Sequence, residues 1–301
     1  METEKKVLPV YFIRHKWNEH YDGNKVVDIL EAEKRIAIHF NEEEKENLED
    51  FSKESLSDPN FTSTFKIFKK ISTDGAIVVA NYKKTRCFIG EVKPSSKIEF
   101  FPESYGVRKG YKTLKLTNTF PVDYSDFPLL PIILPPYRTI SRLKGNKEKF
   151  VRYIYCIEDL PFELKFLRPA IQEIMCTEWL RSEYCPEDFK LQYLLLGVGR
   201  TMEDIDIYGI TIKGQELVAQ VTFSEDNKKN KRKKERLREF SNKNFIKIFF
   251  SNEDNSQEND EIYNVTLQKV WDDFAKEEPR RTMLMKMLGK NDAKRRKTEH
   301  N

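Results

Sequence analysis

Hydrophobic and polar positions divide the chain into two differently patterned halves. Residues 8–15 (LPVYFIRH), 34–40 (KRIAIHF), 75–82 (GAIVVANY), 85–92 (TRCFIGEV) and 97–101 (KIEFF) are short runs rich in β-branched and aromatic side chains. Their length and partial alternation predict strands. Between them, EEEKENLEDF and FTSTFKIFKKI within 41–71 carry helical spacing, and Asp74 with Gly75, then Tyr82, Lys83 and Lys84, predict the turns of a hairpin. YKTLKLT (111–117) predicts another strand. FPLLPIILPPYRTI (127–140) carries prolines at 128, 131, 135 and 136, so it is expected to be extended and to wrap the domain. These elements predict a small mixed β-barrel over residues 1–145.

SRLKGNKEKF (141–150) reads as a polar link between domains, and VRYIYCI as a last strand or a connector. The period then changes. Phe166, Ile171, Ile174, Met175, Trp179 and Leu180 recur at helical spacing, with Pro169 expected to begin or kink the helix. A strand (189–197), a hairpin turning at Lys213 and Gly214, a basic helix (about 226–240), a strand (244–250), a polar loop and two closing helices follow. The order α-β-β-β-α-β-α predicts a sheet flanked by helices. The expected fold class is thus α+β followed by α/β. An α/β domain with a central mixed sheet spans 155–290, and a basic tail at 291–301 is expected to be disordered.

Charge changes this picture locally rather than on average. The 53 Lys and Arg against 49 Asp and Glu leave a net charge of only +4. Residues 41–58 are nevertheless acidic, whereas 228–238 (KKNKRKKERLR) and 290–297 (KNDAKRRK) are strongly basic. Such runs are either solvated faces or phosphate contacts, which release counterions from a polyanion. Cys87, Cys156, Cys176 and Cys185 form no CxxC pair, and His15, His20, His39 and His300 no HxxxH pair. This argues against a zinc site or a disulfide framework and for a reducing, cytoplasmic setting. No apolar run approaches a membrane span, and METEKK lacks the core of a signal peptide.

Candidate chemistry lies in the hairpin EDIDIYGITIKGQELVAQVTF (203–223). Asp204, Asp206 and Tyr208 share one strand face, and Ile205 and Ile207 share the other. In the second strand Gln220 and Thr222 oppose Ala219 and Val221, so Asp206 and Gln220 can project to one side. A buried amide in so apolar a strand is costly unless it is hydrogen-bonded or holds a ligand. Upstream, Glu173 and Glu178 lie about 140° apart on their helix, so only one can face the hairpin.

The order helix-Glu, strand-Asp, turn, strand-Gln, helix, strand resembles the PD-(D/E)xK restriction-endonuclease-like superfamily. It is similar in particular to the D…QxK branch of modification-dependent restriction endonucleases and resolvase-like nucleases. QEIMCTEWL is similar to that branch's helix motif, DIDIYG to its G-x-D-hydrophobic segment, and VAQVTF to its hydrophobic-Q-x-K strand, over residues 160–275. The resemblance implies that Asp206, Gln220 and Glu173 hold Mg²⁺ or Mn²⁺ for phosphodiester hydrolysis of double-stranded DNA. It also implies a homodimer, since duplex cleavage in the superfamily often uses two active sites.

The lysine of the motif is replaced by Thr222. Either another lysine substitutes, Lys213 in the turn and Lys228 being nearest in sequence, or the domain binds nucleic acid without cutting it. Lys228, Lys229, Lys231, Arg232 and Lys233 are the expected phosphate contacts.

In the first half, DGAIVVANYKKTRCFIGEVKPSSKIEFF resembles the central hairpin of PUA-like domains of the EVE type. TLKLTNTFPVDYSDFPLLPIILPPYRTISRLKG is similar to the closing segment of proteins that join such a domain to a restriction-type nuclease. That resemblance implies an aromatic concavity for a modified or flipped base. Trp17, Tyr21 and Tyr82 are its aromatic candidates, and Asn18 or Asp74 its polar partners. PUA-like domains also serve RNA, which leaves an RNA-binding protein as a further reading.

Overall fold

The computed structural model describes residues 7–15, 23–82, 85–136, 138–196, 205–224, 226–239, 245–252 and 261–296. The chain is a mixed α and β protein of two compact units. Unit 1 comprises Met1–Leu160 with Gly289–Asn301, and unit 2 comprises Pro161–Leu288. Among the described residues no helix is long and apolar enough to cross a membrane.

Unit 1 contains β1 (Val10–Arg14), α1 (Gly23–Glu33), β2 (Arg35–Ile38), α2 (Lys53–Ser57), α3 (Pro59–Asp74), β3 (Ala76–Asn81) and β4 (Arg86–Val92). There follow β5 (Glu99–Phe100), β6 (Lys112–Lys115), β7 (Thr117–Asp123), α4 (Leu129–Ile133), β8 (Ile140–Leu143) and α5 (Asn146–Ile154). One sheet has the order β7-β4-β3-β1-β8 and a smaller one the order β2-β6-β5. Both are open, and the expected barrel does not close among the described residues. The reason lies in β1 and β3, which pair in parallel and read VYFIR and AIVVAN. Tyr11, Ile13 and Val78 are buried on one face, and Val10, Phe12, Ile77 and Val79 on the other. Strands buried on both faces belong in a covered layer, not in a half-solvated wall.

Helix α3 covers one face with Phe61, Phe65, Phe68 and Ile71. Asp58 caps its start by accepting from Asn60 N at 2.8 Å. Gly75 stops it at φ 74°, where a Cβ would lie 2.8 Å from Pro94.

Several stretches of unit 1 differ from the sequence expectation. The proline-rich segment is not wholly extended, because Pro131 falls in the first turn of α4, where its missing N–H is not needed. The presumed linker forms edge strand β8, antiparallel to β1, and α5, which buries Phe150, Val151, Tyr153 and Ile154. EEEKENLEDF forms a single 3₁₀ turn at Leu48–Asp50. There Glu43 accepts from Ser52 Oγ at 2.7 Å, and Asn41 receives the buried Lys112 ammonium at 2.8 Å.

Residues 291–296 of the expected tail dock on unit 1. Arg295 Nε donates to Tyr153 O at 2.8 Å with its guanidinium 4.3 Å from the Tyr153 ring. Arg296 lies 4.4 Å over Tyr155.

Unit 2 contains α6 (Pro169–Leu180), β9 (Leu191–Leu196), β10 (Ile207–Thr211), β11 (Glu216–Val221), α7 (Asn227–Glu239), β12 (Ile246–Ser251), β13 (Ile262–Thr266), α8 (Leu267–Ala275) and α9 (Arg280–Met287). Its sheet has the order β13-β12-β11-β10-β9. Strands β9, β10 and β11 form an antiparallel meander, and β11, β12 and β13 run parallel. Trp179 of α6 packs edge-on against Phe250, whereas Leu237 of α7 joins Val218, Phe249 and Ile262. Phe249 and Phe250 are consecutive strand residues and point to opposite faces, so α6 and α7 sandwich the sheet. Gly209 sits at a register shift between β9 and β10, where a Cβ would lie 2.4 Å from Tyr193 O. Strand β13 falls in a segment expected to be loop.

His15, at the end of β1, yields a pH prediction. Its Nε2 accepts from Ala37 N at 3.0 Å, so Nδ1 carries the proton and donates to Asn81 O at 3.2 Å. Burial lowers its pKa from 6.5 to about 3. The unfolded chain takes up that proton below pH 6.5 and the folded chain does not. Stability is therefore full above that pH and falls as the pH drops towards 3, by up to ~1.4 kcal/mol per pH unit. Urea midpoints are expected to fall between pH 7 and pH 5, and His15→Leu to flatten that dependence. An unchanged slope in the variant would contradict the assignment.

Candidate functional site

Antiparallel pairing of β10 with β11 sets Ile207 against Ala219, and Asp206 N donates to Ala219 O at 2.9 Å. Asp206 thus faces Gln220 across the hairpin, as the alternation predicts. Asp206 Oδ2 accepts from Val221 N at 2.7 Å and from Gln220 Nε2. An ionised carboxylate only accepts, which orients the amide with Oε1 pointing away from Asp206. Gln220 is 2% exposed, and its Oε1 has no hydrogen-bond partner among the described residues. Leaving such an acceptor unmet costs roughly 1–3 kcal/mol.

Helix α6 brings Glu173 to the same place. Pro169 opens the helix at its first position, and Gln172 Nε2 ties it to Leu167 O at 3.0 Å. Gln172, Met175, Cys176 and Trp179 are buried, while Glu173 is half-buried at their margin. Burial raises the Glu173 carboxyl above its usual range, the Asp206 charge raises it further, and Lys233 opposes both. Asp206 is raised as well, by burial, against the Val221 N–H, Lys233 and the Gln220 amide. The Cys176 thiol is pushed well up by burial, then by Asp206 and Glu173, which makes it an inert thiol. Glu178 points elsewhere and pairs with Arg181 at 4.0 Å.

Lys233 brings a cation to this pocket. Its Nζ lies 3.5 Å from Val221 O, on the residue whose N–H holds Asp206. Helix α7 buries Asn230, Lys234 and Leu237, and Lys233 borders that stripe. Lys228, Lys229, Lys231 and Arg232 are exposed, so Lys233 is set apart from the phosphate contacts with which its sequence grouped it. Lys213 is not near the pocket. It pairs with Asp188 in the turn beyond Thr211, at the opposite end of β10 from Asp206. Lys228 stands at the exposed start of α7, its N–H donating to Asp226 Oδ1 at 3.0 Å. Thr222 is buried, and its hydroxyl donates to Asn230 Oδ1 at 3.3 Å and accepts from Ser224 N at 3.3 Å. It thereby pins the end of β11 to α7.

Lys233 had one sequence signal. Leu237 is the lone large apolar residue of NKKNKRKKERLRE, so it marks the face turned to the sheet, and Lys233 lies one turn before it.

Of the candidates in unit 1, the two described ones, Tyr82 and Asp74, do not come together. Tyr82 is buried, donates from Oη to Arg35 O at 2.5 Å and stacks on His15 with centroids 4.7 Å apart. Asp74 ends α3, and the whole of β3 (Ala76–Asn81) separates it from Tyr82. Eight residues of nearly extended chain are roughly 26 Å long, so the two cannot line one base-sized pocket. Trp17, Asn18, Tyr21 and Asp204 lie outside the described residues.

Comparison with family models, curated proteins and solved structures yields no match. Among the described residues no group of three or more His, Cys, Asp and Glu side chains is placed to hold a metal ion. The pocket instead offers two carboxylates and an amide oxygen.

Raised carboxyl groups have a testable consequence. Asp206 keeps its proton to higher pH in the folded than in the unfolded chain, so its contribution to stability is full at low pH and lost as the pH rises through the folded value. Asp206→Asn retains an acceptor for Val221 N and removes the charge. It is expected to raise the Tm of the metal-free protein at pH 7, with the gap closing below pH 4. A lower Tm at pH 7 would refute this account of the pocket.

Proposed function

We propose that unit 2 is a nucleic-acid phosphodiesterase domain of the restriction-endonuclease type, with Asp206, Glu173, Gln220 and Lys233 at its centre. One observation carries the reading. A buried hairpin amide carries an oxygen with no hydrogen-bond partner among the described residues, beside two carboxyl groups raised by burial and the ammonium of Lys233. The order of elements supports it too, since a helix with Glu173, a hairpin with Asp206 and Gln220, a helix and a strand follow one another as the resemblance to the PD-(D/E)xK superfamily implies.

The donor set fits a hard divalent cation. It consists of oxygens alone, one of them unmet, and the ammonium of Lys233 leaves both carboxyls above their usual range. Asp206, Glu173 and Gln220 Oε1 would hold Mg²⁺ or Mn²⁺. When bound, such an ion supplies Lewis acidity and an activated water.

The chain's own residues do the rest. Exposed Lys228, Lys229, Lys231 and Arg232 hold backbone phosphates and steer the strand towards the pocket. Val221 N and Gln220 Nε2 fix the orientation of Asp206. Lys233 supplies the cation that Thr222 cannot, in reach of a phosphate oxygen seated over Val221.

The test is incubation of the full chain with methylated DNA, plain DNA and RNA at fixed salt, with and without Mg²⁺ or Mn²⁺. Metal-dependent cleavage is expected, falling on the order of 100-fold or more in Asp206→Asn and in Lys233→Met. Placing a lysine back on the strand, as Thr222→Lys in the Lys233→Met background, is expected to recover part of that loss. Salt-sensitive binding with no cleavage under any metal would instead identify a nuclease fold that binds nucleic acid without cutting it.

A further inference from the structure

Next to the acidic pocket, the carboxyl ends of the parallel strands open into a cleft of about 460 Å³. Open α/β sheets bind ligands at this edge. Phe223, two residues past the end of β11, and Asn252, directly after β12, form one side, and Asn252 Nδ2 donates to Phe223 O at 3.2 Å. Phe162 and Trp271 form an aromatic side, with ring centroids 4.7 Å apart. Gln268, in the first turn of α8, completes the rim and is held by Asp272 Oδ1 at 2.8 Å. The charged side chains in the lining, Glu163 and Lys165, pair with each other.

This composition selects a ligand. Paired charges leave no net attraction for a phosphate, whereas three aromatic side chains suit a flat, neutral heterocycle. Two amides suit its hydrogen-bonding edge, as Asn and Gln do with base edges. Position adds to chemistry, because two residues of chain, at most ~7 Å, separate Val221 at the acidic pocket from Phe223 in the cleft.

We infer that the cleft between Phe162, Trp271 and Phe223 holds an unpaired nucleobase of the strand whose phosphate occupies the Asp206 pocket. The inference rests on the reading of unit 2 as a nucleic-acid domain and deepens it: the substrate presents a base out of its stack beside the scissile phosphate.

Full-length protein in chelator, at fixed salt, is titrated with a short single-stranded oligonucleotide, a strand of equal length lacking all bases, and free adenosine. Tryptophan emission is read, and Trp271→Phe identifies the share due to the cleft. The base-bearing strand is expected to bind at least about tenfold tighter than the abasic one and to quench emission that Trp271→Phe lacks. Phe162→Leu and Gln268→Ala are expected to remove most of that preference without changing abasic binding.

Equal affinity for the two strands would overturn the inference, and so would free adenosine matching the base-bearing strand. The two readings separate cleanly. Base-dependent quenching without metal-dependent cleavage sinks the nuclease reading alone, and cleavage without base dependence sinks the cleft alone.

Discussion

The parallel pairing of β11 with β12 forces the chain to cross from one end of the sheet to the other, and the acidic pocket follows from the helix that makes that crossing. A parallel pair cannot be closed by a hairpin. Helix α7 therefore runs back over the sheet, and its residues next to Leu237 are pressed against it. Lys233 reaches the carbonyl of Val221 for that reason. The same crossing leaves the ends of β11 and β12 open beside one another, so that Phe223 and Asn252 border one cleft.

Buried polar groups in the two units do different work. In unit 1, His15 is bonded through both ring nitrogens, and Lys112 reaches the Asn41 side chain while lying 5.1 Å from the Phe51 ring. These groups pin loops and strands to the core, although burial disfavours the charged form of each. In unit 2, Gln220 Oε1 is unmet and two carboxyls are held above their ordinary range. Unmet oxygen donors at the end of a strand are a reservoir that a ligand can satisfy.

Local pattern carried much of the architecture. Pro169 at the head of α6, the turn at Gly214 and the facing of Asp206 with Gln220 all follow from spacing and alternation, because these are contacts between near neighbours in the chain. Errors fell where distant packing outweighed local signal. Pro131 tolerates a helix because it lies in a first turn. The basic segment after Asn291 docks because Tyr153 and Tyr155 present ring faces to Arg295 and Arg296. Tyr82 became core because His15, far away in sequence, stacks on it.

By itself the sequence determined a two-part α and β chain, the order of its elements, the hairpin that joins Asp206 to Gln220, and the missing lysine at Thr222. Each of these depends on the period of side chains along one strand or helix. Only the tertiary structure decided that the sheets of the first half stay open among the described residues, that Lys213 pairs away from the pocket, and that Lys233 reaches Val221 O. In a helix with so many basic residues, charge does not say which one faces the sheet. That choice belongs to the packing of Leu237 against strands the helix did not grow from, and packing of that kind exists only once the chain has folded.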